Sequence, residues 1–361
     1  WNIPFKKLIH KLNLIQKTND SLRSNNLNLN IFDSNDKYCN ILSKAIIENL
    51  PIEYLENFKN NIRVLSPYIK SNYKFIISKW IFITQTHMRY YFALQKKNGS
   101  KIIACQKGGN FGIRDSYNST NVEIDMSDYY LSWGWKYKNQ VIDFYFTKTH
   151  WYKKDNYNKN DPIILTGASC RKFFFSFLHS PSIIYNHKQL NINSNFLNKI
   201  NIKVQNKLIY RFYNNYGFNE HIKIKKKFPN IKQSHREDTP HFYHLMFKSS
   251  LFICSNDVTA HKQAFIINKP TILLFKMEFF TVKEEFKIFY QILKEAEIFY
   301  EDPILCARHI NKIYTNPMDW WMLPKVQNAK NLYLDAICKF SDTLEHDLAN
   351  EINKIRKIES N

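Results

Sequence analysis

Residues 251–275 constrain the fold of this chain more than any other stretch. They run Leu251-Phe252-Ile253-Cys254, Ser255-Asn256-Asp257-Val258, a helical stretch from Thr259 to Ile267, Asn268-Lys269-Pro270, and Thr271-Ile272-Leu273-Leu274-Phe275. The two continuous apolar runs have the length and composition of strands buried on both faces. Polar turn residues close the first run and an Asn-Lys-Pro turn precedes the second. The pattern is one βαβ unit, whose crossover helix makes the two strands parallel. The turn 255–258 then falls at the carboxyl end of the first strand, the edge at which open α/β sheets take their ligands.

A second unit of the same kind reads from 75 to 105. The segment Lys74–Thr84 holds Phe75-Ile76-Ile77 and Trp80-Ile81-Phe82-Ile83, and its later part is expected as the strand. Thr84-Gln85-Thr86-His87 caps a helix over Arg89–Lys97, which Asn98-Gly99-Ser100 ends. Lys101–Cys105 is the next buried strand. It runs into Gln106-Lys107-Gly108-Gly109-Asn110-Phe111-Gly112, which holds three of the seven glycines. Such a loop brings backbone N–H groups close to a ligand, or is simply a tight turn.

Further along, Pro162–Gly167 and Lys207–Arg211 read as strands, and Thr239-Pro240 opens a helix to Lys248. Helix 282–296, strand 297–300 and helices over 302–314 and 317–340 follow. Two blocks of alternating strands and helices predict an α/β chain of two doubly wound, Rossmann-like domains facing a cleft. A length of 361 residues favours two cores over one. The expected divisions are a polar N-terminal segment 1–37, a first domain 38–145 beginning with helices over 39–60, a second domain 146–340, and a helical tail 341–361. The Lys- and Asn-rich stretch 136–160 is expected to link the domains.

The formal charge of +21 suits a nucleic-acid binder, an anionic membrane surface or anionic substrates. Lysines spread along the whole chain, in company with Asn, Ile, Phe and Tyr, also follow from AT-rich codons. The six cysteines show no C-x-x-C spacing, so the expectation is free thiols in a reducing compartment, without zinc or disulfides. No apolar run approaches the length of a membrane span. The chain begins at Trp1 rather than Met, as expected of a fragment or processed chain.

Ser255, Asn256, Asp257 and Thr259 open the helix of the first unit, where free N–H groups and the dipole favour phosphate. The same residue types are also ordinary N-caps. Arg211, at a strand end, reads as a phosphate clamp or a surface ion pair. His87, His235, His241, His244 and His261 are candidate bases. None has metal-ligand spacing with acidic company, and G-x-S-x-G, Walker and G-x-G-x-x-G motifs are all missing from the sequence.

Several ordered pieces resemble the surface-polysaccharide transferases of bacterial O-antigen and capsule gene clusters, which look like GT-B glycosyltransferases. These are Lys101–Gly112, where the family shows Gln-His-Gly-Gly-x-x-Gly; Asp128–Trp135; Leu208–Tyr213; Asp238–Phe247; the unit 251–275; and Asn316–Lys330 with Trp320-Trp321 and Pro324. The resemblance covers roughly residues 40–340. This chain departs from it at Lys107, where the family has His, and at Gln263, where it has a helical Glu. Val258 and Ala260 replace flanking Ser and Thr.

The resemblance implies a GT-B-like fold with domain 38–145 on the acceptor side and domain 146–340 on the donor side. It implies a transferase moving a sugar or related unit from a nucleotide-activated donor to a glycan or lipid-linked glycan acceptor, with no metal and no cofactor. Ser255, Asn256, Thr259, Gln263 and Arg211 are the expected donor contacts. Gln106, Gly108, Gly109 and Gly112 are expected to line the cleft from the other domain, with His87 and Lys107 as candidate catalytic groups. The expected setting is cytoplasmic, with peripheral contact to an anionic membrane and no specific nucleic acid. The alternatives are a non-catalytic homologue binding nucleotide or glycan, suggested by Lys107 and Gln263, and a basic nucleic-acid or membrane-surface module.

Overall fold

The computed structural model describes residues 17–26, 31–32, 36–69, 73–79, 86–115, 118–147, 157–167, 183–213, 215, 217–235 and 242–360. The chain divides into two compact units. The first holds residues 1–104 and 126–128, the second residues 105–125 and 129–361.

In the first unit, α1 (Asp20–Asn26), α2 (Lys37–Asn49) and α3 (Phe58–Leu65) precede a βαβ formed by β1 (Phe75–Ser78), α4 (Thr86–Lys97) and β2 (Lys101–Cys105). The periodicity over 39–60 is interrupted at Leu50-Pro51, where the missing proline N–H ends α2. Asp36 caps α2 through the N–H groups of Tyr38 and Cys39. Its carboxyl end is closed by Arg23 of α1, which donates to the carbonyls of Ile47, Glu48 and Leu50 and pairs in two-pronged fashion with Glu56. A cation at the negative end of the helix dipole satisfies carbonyls that have no partner in the helix itself. The polar segment 1–37 therefore contributes a helix that the first unit uses.

β1 pairs parallel with β2, Phe75 facing Lys101 and Ser78 facing Ala104. The earlier apolar run is thus a strand, and the expected strand Trp80–Ile83 lies outside the described residues. Gly99, at φ +91°, ends α4 as its sequence suggests.

The second unit begins with the loop after β2 and continues through α5 (Asn118–Met126), which the sequence pattern did not announce, β3 (Tyr129–Leu131) and β4 (Val141–Ile142). The main sheet is built from β5 (Ile163–Thr166), α6 (Ile183–Lys199), α7 (Ile202–Lys207), β6 (Leu208–Arg211), α8 (Glu220–Lys227) and β7 (Lys232–Ser234). It continues with α9 (Phe242–Phe247), β8 (Leu251–Cys254), α10 (Thr259–Ile266), β9 (Thr271–Leu274), α11 (Glu284–Glu295) and β10 (Phe299–Tyr300). Four helices complete the unit: α12 (Pro303–Ile313), α13 (Pro317–Trp321), α14 (Pro324–Ile337) and α15 (Leu344–Ile358). The expected helix Pro240–Lys248 is described only from Phe242, and the run Phe173–Leu178 and His241 lie outside the described residues.

The six strands are all parallel, in the order β10-β9-β8-β5-β6-β7. Counted along the chain this is 6-5-4-1-2-3, a doubly wound sheet whose order reverses between β5 and β8. Every residue of β8 and β9 is buried, which explains their unbroken apolar runs. Cys105 and Cys254 are buried free thiols at strand ends. The Asn-Lys-Pro turn places Asn268 at φ +55°, where Trp321 and Lys330 both bond it.

The units do not divide near residue 145. Residues 105–125 and 129–147 fall in the second unit. Phe146 is fully buried, packs edge-on against Trp133 at 4.5 Å, and donates its N–H to the carbonyl of Lys339. The described stretch 136–147 is therefore part of the second unit, and residues 148–156 of the expected link lie outside the described residues.

Candidate functional site

The crevice outside the carboxyl ends of β5 and β8 is where a sheet of this order opens between its two halves. Ser255 closes it at the base. It is fully buried, its hydroxyl donates to the carbonyl of Thr166, and the amide of Asn193 donates to it at 3.3 Å. Ser255 thus ties β8 to β5 and α6, and its hydroxyl already has protein partners. Asn256 comes next, half-buried, and its side-chain oxygen has no hydrogen-bond partner.

Asp257 centres a buried charge cluster. Its carboxylate takes a hydrogen bond from Arg114 at 2.9 Å and one from Lys262 at 3.1 Å, with His261 Nε2 at 3.6 Å. Arg114 also donates to the Asp257 carbonyl at 2.6 Å. All four side chains are buried. Burial alone would raise the Asp257 carboxyl, but Lys262 and then Arg114 outweigh it and hold the group well below the usual carboxylate range. Burial, reinforced by Lys262, pushes the His261 imidazole well below its ordinary value and keeps it neutral. His261 Nε2 meets the hydroxyl of Tyr333 at 2.9 Å, and Tyr333 donates to Tyr290.

The net charge of Arg114, Lys262 and Asp257 is +1. Two nitrogens of Arg114, Nε and Nη1, are buried without a partner, while its plane lies over the Phe280 ring at 4.2 Å. Buried donors of this kind are uncommon and mark a place where a further acceptor is accommodated.

The Gly-rich loop packs directly on this cluster, within the same unit. The Gly109 N–H donates to the Thr259 hydroxyl at 3.0 Å. A Cβ at Gly109 would stand 2.9 Å from Lys262 Cδ and 3.1 Å from Thr259 Cα, so the approach needs glycine. Gly108 and Gly112 would clash with Phe111 and Trp135 in the same way. Gln106 braces the loop from beneath: its oxygen accepts from the Trp133 N–H and the Trp135 indole, and its amide donates to the Gly108 carbonyl. Beyond the loop, Arg114 bridges antiparallel to Val282. The four loop residues therefore do not line an open cleft from another domain. They close over the start of α10, and buried contacts account for their identities.

Gln263 and Arg211 are likewise engaged elsewhere. Gln263 is buried and donates to the Tyr243 hydroxyl on α9 at 3.2 Å. Arg211 is buried at the end of β6 and donates to the Ser234 hydroxyl and the His235 carbonyl, bracing β6 to β7. His87, in the first turn of α4, belongs to the first unit, and burial lowers its pKa despite Glu53. Lys107 is half-buried, and burial lowers its amine.

Two features escaped the sequence reading. Arg114 is 143 residues from Asp257, and nothing local marks it. Asp257, His261 and Lys262 do carry a signal, an acid preceding a helix with partners four and five residues on. The second feature is Glu123 on α5, fully buried with both carboxylate oxygens unpartnered. Burial pushes it up to about 8, against the pull of Lys107. Among the described residues no group of three or more His, Cys, Asp or Glu is arranged to hold a metal ion, and no helix is long and apolar enough to cross a membrane.

The family model described as LIC12162 family transferase matches residues 2–352. Among solved structures, the chain is similar to TarM at 11% identity and a TM-score of 0.45, covering 80% of this chain and 57% of that one. It is similar to S. aureus MnaA in complex with UDP at 14% identity and a TM-score of 0.45, over 84% of this chain and 79% of that one. It is also similar to the wall teichoic acid polymerase TagF at 10% identity and a TM-score of 0.44, over 79% and 73%. At these scores the likenesses settle neither fold nor chemistry. The comparison with curated proteins gives no match.

Proposed function

Because the chain belongs to the LIC12162 family of transferases, we propose that it is a GT-B-type glycosyltransferase. It would move a sugar or related unit from a nucleotide-activated donor to a glycan or lipid-linked glycan of a bacterial surface polysaccharide, at the inner face of an anionic membrane. The observation that carries this reading is the set of polar atoms left unpartnered at the switch point: Asn256 Oδ1 and the Nε and Nη1 of Arg114. An acceptor and two cationic donors suit a ribose hydroxyl and a phosphate.

In this reading the leaving nucleotide is stabilised by Arg114 and Lys262, an electrostatic role that needs no resident metal. Asn256 and Thr259 contact the donor. Ser255, Gln263 and Arg211 hold the surrounding elements in place. Lys107, whose amine burial lowers, is the proposed contact for acceptor charge.

One observation favours a non-catalytic homologue instead: Gly109 already occupies the Thr259 hydroxyl. A thermal-shift series with nucleotides and nucleotide sugars tests both. A donor at 100 times its Kd should add about 2.7 kcal/mol to stability. A shift with turnover supports the transferase, and a shift without turnover supports the binding homologue. No shift, together with salt-sensitive nucleic-acid binding, overturns both.

A further inference from the structure

The basic segment around α8 is not used by the proposed site. Helix α8 reads Glu-His-Ile-Lys-Ile-Lys-Lys-Lys and connects β6 to the edge strand β7. It is anchored by Ile224, with Phe228 and Ile231 buried just beyond its end. Lys223, Lys225, Lys226, Lys227 and, on β7, Lys232 are all exposed. Among the described residues, the last four form no salt bridge; Lys225 caps the Pro229 carbonyl at 2.8 Å, and Lys227 lies over the Phe228 ring.

At about 100° per residue, the direction opposite Ile224 falls between Ile222 and Lys226. Ile222 therefore lies near the middle of the outward face, flanked by Lys223, Lys225 and Lys226, and is 56% exposed. A solvated face accounts for the lysines, and Ile222 sets an apolar tip among them. An apolar side chain ringed by ammonium groups is the pattern of a surface that meets lipid headgroups, with the charges on phosphate and the apolar tip at the acyl boundary.

We propose that the outward face of α8, with Ile222 near its centre, docks this chain onto an anionic lipid surface. The inference deepens the membrane setting of the proposed function and names the face responsible, and its test is separate from nucleotide binding. Charge complementarity selects the occupant: a net-positive patch, whose single carboxylate, Glu220, is half-buried and bonded by Asn186, meets a surface of phosphodiesters. The apolar centre favours a bilayer over a dissolved polyanion, which offers nothing for Ile222 to enter.

The test is co-sedimentation of the full chain with vesicles of phosphatidylglycerol and phosphatidylcholine, against phosphatidylcholine alone. Binding is expected only to the anionic vesicles. The variant Lys225→Glu/Lys226→Glu/Lys227→Glu should bind more than tenfold more weakly with an unchanged Tm. The charge-matched control Lys312→Glu/Lys325→Glu/Lys357→Glu, on exposed positions elsewhere, should lose far less. Ile222→Ser should weaken binding and make the remainder more sensitive to salt. Equal losses in the triple variant and its control would assign binding to overall charge and overturn the proposal. So would equal binding to neutral vesicles, or duplex DNA that competes vesicles off the α8 face. A nucleotide thermal shift that persists in the triple variant separates this surface from the transferase reading.

Discussion

The N–H of Gly109 donates to the hydroxyl of Thr259 across 150 residues of sequence. The two residues that the chain's glycine cluster and its βαβ turn single out independently are hydrogen-bonded to each other. The start of α10 is thus covered by backbone, and the contact leaves no room for a side chain on Gly109.

Gly109→Ala should therefore destabilise the protein by about 1–3 kcal/mol, since the new methyl must displace Lys262 or the backbone of α10. Thr259→Val, which keeps the shape but removes the acceptor, should cost about 1–3 kcal/mol through the stranded N–H. Denaturant midpoints at constant m-value check both. A neutral result for Gly109→Ala would mean that the loop lifts from the helix easily.

Asp257→Asn should be more damaging. It leaves Arg114 and Lys262 buried without their counter-charge, a loss of roughly 3–5 kcal/mol. The pH dependence has a definite sign. The folded carboxyl is held well below its unfolded value, so its contribution is fully present above about pH 4 and is lost as pH falls toward the folded value. Acid unfolding of Asp257→Asn should lack that part of the slope.

Glu123 behaves in the opposite sense. Its folded pKa is pushed up to about 8, against about 4.3 in an unfolded chain. Between these values the unfolded state loses the proton first, so stability falls as pH rises through this window and levels off above it. Glu123→Gln should raise Tm near pH 8 and change little near pH 4. A parallel pair of Tm–pH curves would show that the carboxyl is not the source.

Gln106 supplies one acceptor and one donor to three buried partners. Gln106→Leu should cost about 3 kcal/mol, by stranding the indole of Trp135 and the N–H of Trp133. Gln106→Glu keeps the acceptor but turns an oxygen toward the Gly108 carbonyl. Its deficit should grow as pH rises through the carboxylate range, measurable by the quench of tryptophan emission on unfolding.

At the proposed donor site, Asn256→Asp sets a negative charge where the unpartnered oxygen now stands. Nucleotide diphosphate affinity should fall at least tenfold by calorimetry, and Tm should fall as well, because the new carboxylate oxygen is buried without a partner. Unchanged affinity would move the donor away from the switch point.

How far the sequence was legible follows from the range of each interaction. Leu251–Cys254 and Thr271–Leu274 were readable as strands because burial on both faces leaves a continuous apolar run. The helix between them was bounded to within a residue by its polar turn and by Asn268. Strand order was not readable, because β5 finds β8 across a long interval and nothing in either run names its neighbour. The Gly-rich loop announced a close approach, but not its partner. Gln263 and Arg211 read in the sequence as donor contacts, Arg211 also as a surface ion pair, because the groups they reach, Tyr243 and Ser234, are invisible at the level of spacing. Phe75–Ser78 reads no more strongly as a strand than the run after it, and only its register against Lys101–Ala104 identifies it. Arg114 had no local pattern at all.

The discontinuity of the second unit has a consequence for how the chain is made. Synthesis from the amino terminus delivers Arg114 long before Asp257, which emerges 143 residues later. At about 5–20 residues per second this is a wait of roughly 7–30 s. Throughout that interval the guanidinium has no counter-charge and must stay hydrated, so the glycine loop cannot settle. The loop is therefore a late-docking piece on the ribosome, and the segment 105–125 is open to chaperones or proteases until Asp257 arrives.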